Sequence, residues 1–430
     1  MSKDIRKEIA NRNYHITKRL WYFIYRNVMR VVGRKYNAHY EIVDDINDYK
    51  GPCFLIFNHL SRIDHMYAME AAYPRRINML CAYSEFFRSH LHFAFKHNNV
   101  LPKKQYTNDI LGTRVISKMI KQGACIAFAP EGLATNDGMN KPIVPGTGHM
   151  LKHYKIPVYF LCLRGEHLQN TKACLDERYG ATYARLSLMF TPDDLEKLSS
   201  EEIERKINEA FRHDEYAWQK EKHIKWTTNG RMAYHLEQIL YRCPKCGAEF
   251  KMKGEGDHFT CEACGNGATL DEYYDFHPYD ESCVIPDTIS EWVRQERIQV
   301  INDIRKDDNY SYSERVKIGK LPNDHYIKNH KTSEIVGEGV LTIDHNGMRY
   351  IDDSKEENNF DLSFKNVYTV STMLDGSYFN IYIDGEFVDI FPESGSMMKW
   401  NLLIEEMHRL HVNFYKNFPW NDYMYEGFEK

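Results

Sequence analysis

The sequence predicts an α/β domain, a mixed sheet flanked by helices, followed by a small cysteine-bearing module and a C-terminal β-barrel closed by a helix. Three observations predict it. From Gly51 to Leu163 short apolar runs alternate with helical or loop segments; two C-x2-C pairs then change the composition; and the last hundred or so residues carry repeated hairpin signals ending in a helix-periodic stretch.

At 430 residues and 43% hydrophobic the chain exceeds one typical core, so two or three domains are expected. A net charge of -5 gives no general attraction to nucleic acid. No stretch offers the roughly 18 apolar residues needed to span a bilayer, because the best candidate, RLWYFIYRNVMRVVGRK, is broken by Arg26 and Arg30. The start MSKDIRKEIANRN carries no apolar signal core, and a reducing cytoplasm is expected. Cys53, Cys81, Cys125, Cys162, Cys174 and Cys283 then read as small core residues.

Residues 1–40 read as a basic helix with an apolar side, where Leu20, Trp21, Phe23, Ile24, Val28, Met29, Val31 and Val32 alternate with Lys and Arg. Residues 1–36 hold ten Lys or Arg against Asp4 and Glu8, a local charge of +8. Such a helix suits an anionic membrane surface, at about 1 kcal/mol for each basic group, or else docks on its own domain. Strands are expected at 53–57, 77–80, 125–129 and 158–163 of an α/β domain spanning 41–235. The cysteine module spans 236–280, and TISEWVRQERIQVINDIRK reads as a linker helix within 285–310. From 315 to 418, runs such as GVLTI, YFNIYI and DGEFVDIF precede a helix in which Trp400, Leu403, Ile404, Met407 and Leu410 recur at helical spacing. That arrangement resembles a pleckstrin-homology or GRAM-like barrel.

The sharpest motif is Asn58-His59-Leu60-Ser61-Arg62-Ile63-Asp64, directly after an apolar strand. Five helical steps of about 100° would leave His59 and Asp64 about 140° apart, so the pair cannot share a helix face. His59 is therefore expected in the turn before a helix, with Asp64 reaching back from its first turn. A carboxylate on one ring nitrogen fixes the tautomer and leaves the other nitrogen to take a proton from a hydroxyl.

Further on, Ala127-Phe128-Ala129-Pro130-Glu131-Gly132 again runs a strand into a turn, and Ile156-Pro157-Val158 opens another strand. With Ser84 to Arg88 and Val100-Leu101-Pro102 between them, these blocks resemble the 1-acylglycerol-3-phosphate O-acyltransferase family in order and spacing over roughly residues 15–215. The resemblance implies an enzyme that moves a fatty acyl group from an acyl thioester, acyl-CoA or acyl-carrier protein, to a hydroxyl of a lysophospholipid or related glycerolipid. It makes His59 the general base, Asp64 its orienting partner, and Glu131 and Gly132 the turn that meets the acceptor. Asn58, Ser61, Arg62, Glu131, Gly132, Lys141 and Gly146 are the expected substrate contacts. Where the family usually places Thr-Arg and Phe-Lys, this chain has Leu133-Ala134 and Ile143-Val144. The acceptor is then not plain lysophosphatidic acid, or other cations, such as Arg62, Lys103, Lys104 or Lys141, serve instead.

Cys243, Cys246, Cys261 and Cys264 form two C-x2-C-G knuckles, the pattern of a zinc ribbon. Four thiolates close the coordination shell, so zinc is expected to be structural. A nucleic-acid-binding ribbon is the rival reading, and a non-catalytic lipid-binding adaptor another. Residues 242–277 hold four Lys or Arg against seven Asp or Glu, the wrong balance for phosphate backbones, so no nucleic-acid partner is expected. The expected partners are the thioester donor, a lyso-lipid and the inner face of a membrane.

Overall fold

The computed structural model describes residues 4–412 except 173, 175, 329–332, 366, 368, 374 and 375, and excepting the side chain of Val32. In its first half, β1 (Asn37–Ile42), β2 (Cys53–Phe57), β3 (Ile77–Ala82), β4 (Leu101–Lys103), β5 (Cys125–Phe128), β6 (Val158–Arg164) and β7 (Ala181–Phe190) form one sheet in the order β1-β7-β6-β2-β5-β3-β4. Only β6 and β7 run antiparallel, so the sheet is mixed. All five residues of β2 are buried, as a parallel strand covered on both faces requires. Strand alternation then sends Phe54, Ile56, Ile126, Phe128 and Phe160 to one core, and Leu55, Phe57, Ala127, Tyr159 and Leu161 to the other. Helices Ile110–Lys121, Thr147–Tyr154 and Ser200–Phe211 cover the first face through Val115, Leu151 and Ile207; helices Arg19–Gly33 and Asp64–Ala71 cover the second through Tyr22 and Ala68.

The single N-terminal helix expected over 1–40 is two helices, Ile5–Asn11 and Arg19–Gly33, with β1 following. Asp4 caps the first by accepting from Lys7 N–H at 3.0 Å. Its Ile5 and Ile9 pack with Phe86, Phe87, Ile327 and Phe387, so this helix joins the first domain to the last.

Beyond the sheet, β8 (Met252–Glu255), β9 (His258–Cys261), β10 (Gly267–Leu270) and β11 (Phe276–Pro278) form an antiparallel sheet around the four cysteines. Then β12 (Ser311–Lys320), β13 (Glu334–Asp344), β14 (Gly347–Asp352), β15 (Phe360–Leu362), β16 (Ser371–Thr372), β17 (Phe379–Ile383) and β18 (Glu386–Pro392) make a curled antiparallel half-barrel ordered β15-β14-β13-β12-β18-β17-β16. Among the described residues no ladder joins β15 to β16. Helix Met398–Val412 packs Trp400, Leu403 and Met407 into the core shared with Ile343, Tyr350 and Ile390 of this sheet. Residues 413–418 of the expected C-terminal domain lie outside the described residues.

Helix Ile289–Lys306 is a core element and not a free linker. Trp292, Arg297, Val300 and Ile304 are buried, and Arg297 donates to Glu405 at 2.8 Å and to Glu406 at 2.7 Å. Burial opposes ionisation of Glu405, but Lys141 and Arg297 override it and hold the carboxyl down at about 2. Arg297→Met, which leaves the two buried glutamates without their shared cation, is expected to cost about 3–5 kcal/mol, read as a lower denaturant midpoint. A shift equivalent to less than about 1 kcal/mol would show that the helices hold without this charge pairing.

Candidate active site

The carboxyl ends of β2, β5 and β6 meet at one edge of the sheet, where parallel α/β sheets place their ligands. Asn58 closes β2 there. Its side chain donates to Leu163 C=O at 3.0 Å and accepts from Leu163 N–H at 2.8 Å, tying the ends of β2 and β6 together. The turn that follows is built around Asp64, the first residue of helix Asp64–Ala71. Its buried carboxylate accepts from Leu60 N–H at 2.9 Å, Ser61 N–H at 3.0 Å, Ser61 Oγ at 2.7 Å and His59 Nδ1 at 2.8 Å. An oxygen that already receives a backbone N–H is an acceptor, so Nδ1 is the donor to it, and in the neutral ring this leaves Nε2 as the acceptor nitrogen. The His59 side chain is 31% exposed while that of Asp64 is 2% exposed, so of the pair it is the ring that is open to the cleft.

Glu131 holds the same turn from the other side. Its carboxylate accepts from His59 N–H at 2.5 Å and from Lys141 N–H at 3.0 Å, and Thr135 N–H donates to His59 C=O at 2.9 Å. Both backbone groups of His59 are thus pinned by the turn after β5. Burial pushes the Glu131 carboxyl up to about 8, against the pull of its two N–H donors. An acid raised in the folded state contributes stability at low pH that is lost as pH rises through about 8. Gly132 has φ +77°, and a Cβ there would sit 2.9 Å from the Val144 side chain.

A cleft of about 1360 Å³ opens over this edge, and His59, Ser61, Arg62, Asp64, Gly132 and Gly146 line it. The other expected substrate contacts lie behind its wall. Asn58 spends its amide on Leu163, Glu131 spends its carboxylate on the two backbone N–H groups, and Lys141 is buried with Nζ 3.3 Å from Glu405. Ser61 Oγ is engaged by Asp64, and Gly146 N–H donates to Glu204 at 2.9 Å. Arg62 is held from Nε by Asn170 at 2.7 Å, Lys103 pairs with Asp109 at 3.5 Å, and Lys104 donates to Gly385 C=O at 2.8 Å. Lys172, Lys365 and Thr372 also line the cleft. Sequence reasoning missed all three. Lys172 lies beyond helix Glu166–Gln169, which separates it from the end of β6, so no strand-to-turn break marks it as one marks His59 after β2 and Glu131 after β5.

The sulfurs of Cys243, Cys246, Cys261 and Cys264 lie within 4.8 Å of one another, close enough to hold a metal ion. Cys243 to Cys264 is 3.7 Å and Cys246 to Cys261 is 3.8 Å. A tetrahedron with metal–sulfur bonds of about 2.3 Å has edges of about 3.8 Å, so the thiols fit a zinc-sized ion.

Residues 30–164 match the family model described as Acyltransferase. The ribbon and the C-terminal half-barrel lie outside that match. Among solved structures, the chain is similar to PlsC, a 1-acyl-sn-glycerophosphate (LPA) acyltransferase from Thermotoga maritima, at 14% identity and a TM-score of 0.39, over 48% of this chain and 81% of that one. No curated protein matches the chain.

Proposed function

We propose that the chain, whose residues 30–164 match the acyltransferase family model, is an acyltransferase that acylates a hydroxyl of a lysophospholipid or related glycerolipid from acyl-CoA or acyl-carrier protein. One observation carries this reading: His59 lines the cleft with its Nδ1 tied to buried Asp64. Nε2 takes the acceptor hydroxyl's proton as its oxygen bonds to the thioester carbon. The C–S bond then breaks, and the leaving thiolate recovers that proton from the imidazolium. Ester and free thiol are the products. Purified protein given an acyl thioester and a panel of lyso-lipids is expected to yield an ester product by mass and one thiol per ester; no product from any glycerolipid acceptor sinks the reading.

The four cysteines are proposed to hold a structural zinc, and the C-terminal half-barrel with its helix to be a pleckstrin-homology-like unit. The N-terminal helix is proposed to rest on the cytoplasmic face of a membrane; no helix among the described residues is long and apolar enough to cross one. Arg19–Gly33 supports this by exposing Leu20, Phe23, Ile24, Val28 and Val31 along one stripe, with Arg19, Arg30 and Arg34 beside it and exposed Phe93 next to Trp21. Arg26 is not part of that face. It is buried against Glu70 at 2.9 Å with its guanidinium 3.6 Å over the Tyr73 ring.

Sedimentation with anionic vesicles is expected, with partial release by salt because surface charge is screened within about 8 Å at physiological ionic strength. Reversing Arg19, Arg30 and Arg34 to Glu is expected to weaken binding about 100-fold, from about 1 kcal/mol per lost cation. Phe23→Ser with Val31→Ser is expected to weaken it on neutral and anionic vesicles alike. Unchanged sedimentation of both variants would remove this helix from the membrane contact.

A further inference from the structure

The C-terminal half-barrel reaches into the cleft that holds His59. Ser371, Thr372, Asn380, Tyr382 and Gly385 line it beside the residues of the first domain. Cross-domain hydrogen bonds fix this wall. Lys172 Nζ donates to Thr372 C=O at 3.1 Å and to its Oγ1 at 3.2 Å, Thr372 Oγ1 donates to buried Asn136, and Lys104 Nζ donates to Gly385 C=O.

The charges of the cleft are uneven. Arg88 and Lys103 line it but pair with Glu85 at 3.2 Å and Asp109 at 3.5 Å. Arg62, Lys172 and Lys365 also line it and form no ion pair among the described residues; the first is set by Asn170 and the second by Thr372, both neutral. Burial, with Lys141 acting in the same direction, pushes the Lys172 ammonium down to about 7, the state of a cation whose surroundings lack an anion. Glu85 and Asp384 also line the cleft and Glu177 acts on Arg62, but none of them forms a salt bridge with Arg62, Lys172 or Lys365 among the described residues, and three cations so left fit a phosphate, at about -1 to -2, better than a neutral group. The same cleft also has apolar lining, with Phe57, Met69, Met79 and Phe128. At about 1360 Å³ it exceeds the roughly 300–1,000 Å³ of a single-ligand pocket, leaving room for an acyl chain and a headgroup together.

We propose that the C-terminal half-barrel completes the acceptor site, and that Lys172, set by Thr372 and joined by Arg62 and Lys365, binds a phosphate-bearing headgroup. The inference rests on the glycerolipid-acyltransferase reading, and it makes Lys172 and Lys365 specificity residues and Thr372 a positioning residue.

Two measurements on the full chain test it. In acyl transfer, the preference for a 1-acylglycerol phosphate over the uncharged 1-acylglycerol, taken as a ratio of kcat/KM, is expected to fall about 10- to 100-fold in Lys172→Gln, chiefly through KM for the phosphorylated acceptor. Lys172→Arg should recover part of it. Thr372→Val is expected to cost about threefold to tenfold, as is Lys365→Gln, an exposed site whose change leaves the fold alone. In calorimetry, sn-glycerol 3-phosphate alone is expected to bind wild type and to bind Lys172→Gln at least tenfold more weakly. Binding lost in the variant while neither acceptor is turned over by wild type would keep the phosphate site and sink the acyltransfer reading. A preference ratio and a phosphate affinity within twofold of wild type in both lysine variants would overturn the site while leaving the reaction intact.

Discussion

Replacing His59 with Ala is expected to lower acyl transfer by about 10²- to 10⁴-fold, the range for loss of a positioned general base. Folding should survive it. The ring is partly exposed and its side-chain contacts are Asp64 and an edge-on approach to Phe57 at 6.4 Å, so its removal opens no buried cavity. Asp64→Asn is expected to behave differently, because the carboxylate receives three donors besides the ring. An Asn would keep one acceptor oxygen and aim an N–H₂ at a donor, both misorienting His59 and loosening the turn. Its thermal midpoint should therefore fall together with its activity, whereas His59→Ala loses activity alone. Rates by product mass and midpoints by calorimetry separate the two, and near-normal turnover in His59→Ala would falsify the assignment.

The residues behind that expectation were legible because they sit where local chemistry leaves a pattern. Central parallel strands are buried on both faces, so Cys53–Phe57 and residues 158–163 stand out as unbroken apolar runs. The break from strand to turn at Asn58 marks the site. Strands β1 and β7 were not read, since the edge strand Asn37–Ile42 is almost wholly exposed and carries no apolar run, and Ala181–Phe190 buries alternate residues only. Burial of charge was equally invisible. Arg26 looks like Arg30 in the sequence, yet one is closed against Glu70 and Tyr73 and the other is exposed. Lys141 likewise reads as a free cation and is committed to Glu405. The far wall of the cleft leaves no local signal at all, because Lys172 and Thr372 meet across 200 positions of chain.

The second large effect is expected at the four cysteines, where Cys243→Ser with Cys261→Ser should abolish metal binding and unfold the ribbon. Elemental analysis of wild type grown with zinc is expected to give one zinc per chain, and the double variant none. The energetic argument is one of scale. Structural zinc contributes about 10–16 kcal/mol to zinc-finger peptides, as much as the about 5–15 kcal/mol that holds a whole domain folded. The ribbon's strands are three or four residues long, and of its cysteines Cys243 and Cys261 are buried while Cys246 and Cys264 are exposed, so this small sheet has little core of its own to hold it when the four thiols carry no metal. The damage should spread. Cys243, Phe259, Cys261 and Trp292 belong to one continuous core with Val316, Tyr350 and Trp400 of the half-barrel, and Tyr274 donates to Leu168 C=O in the first domain. Loss of the ribbon is therefore expected to lower hydrogen-exchange protection in β12–β18 as well as in β8–β11, and through the cleft wall at Thr372 to weaken the acceptor site. Cys283→Ser, outside the cluster, is the control and should change neither metal content nor protection. A zinc-free preparation with an unchanged melting midpoint would show that the four thiols hold this part of the chain together without metal.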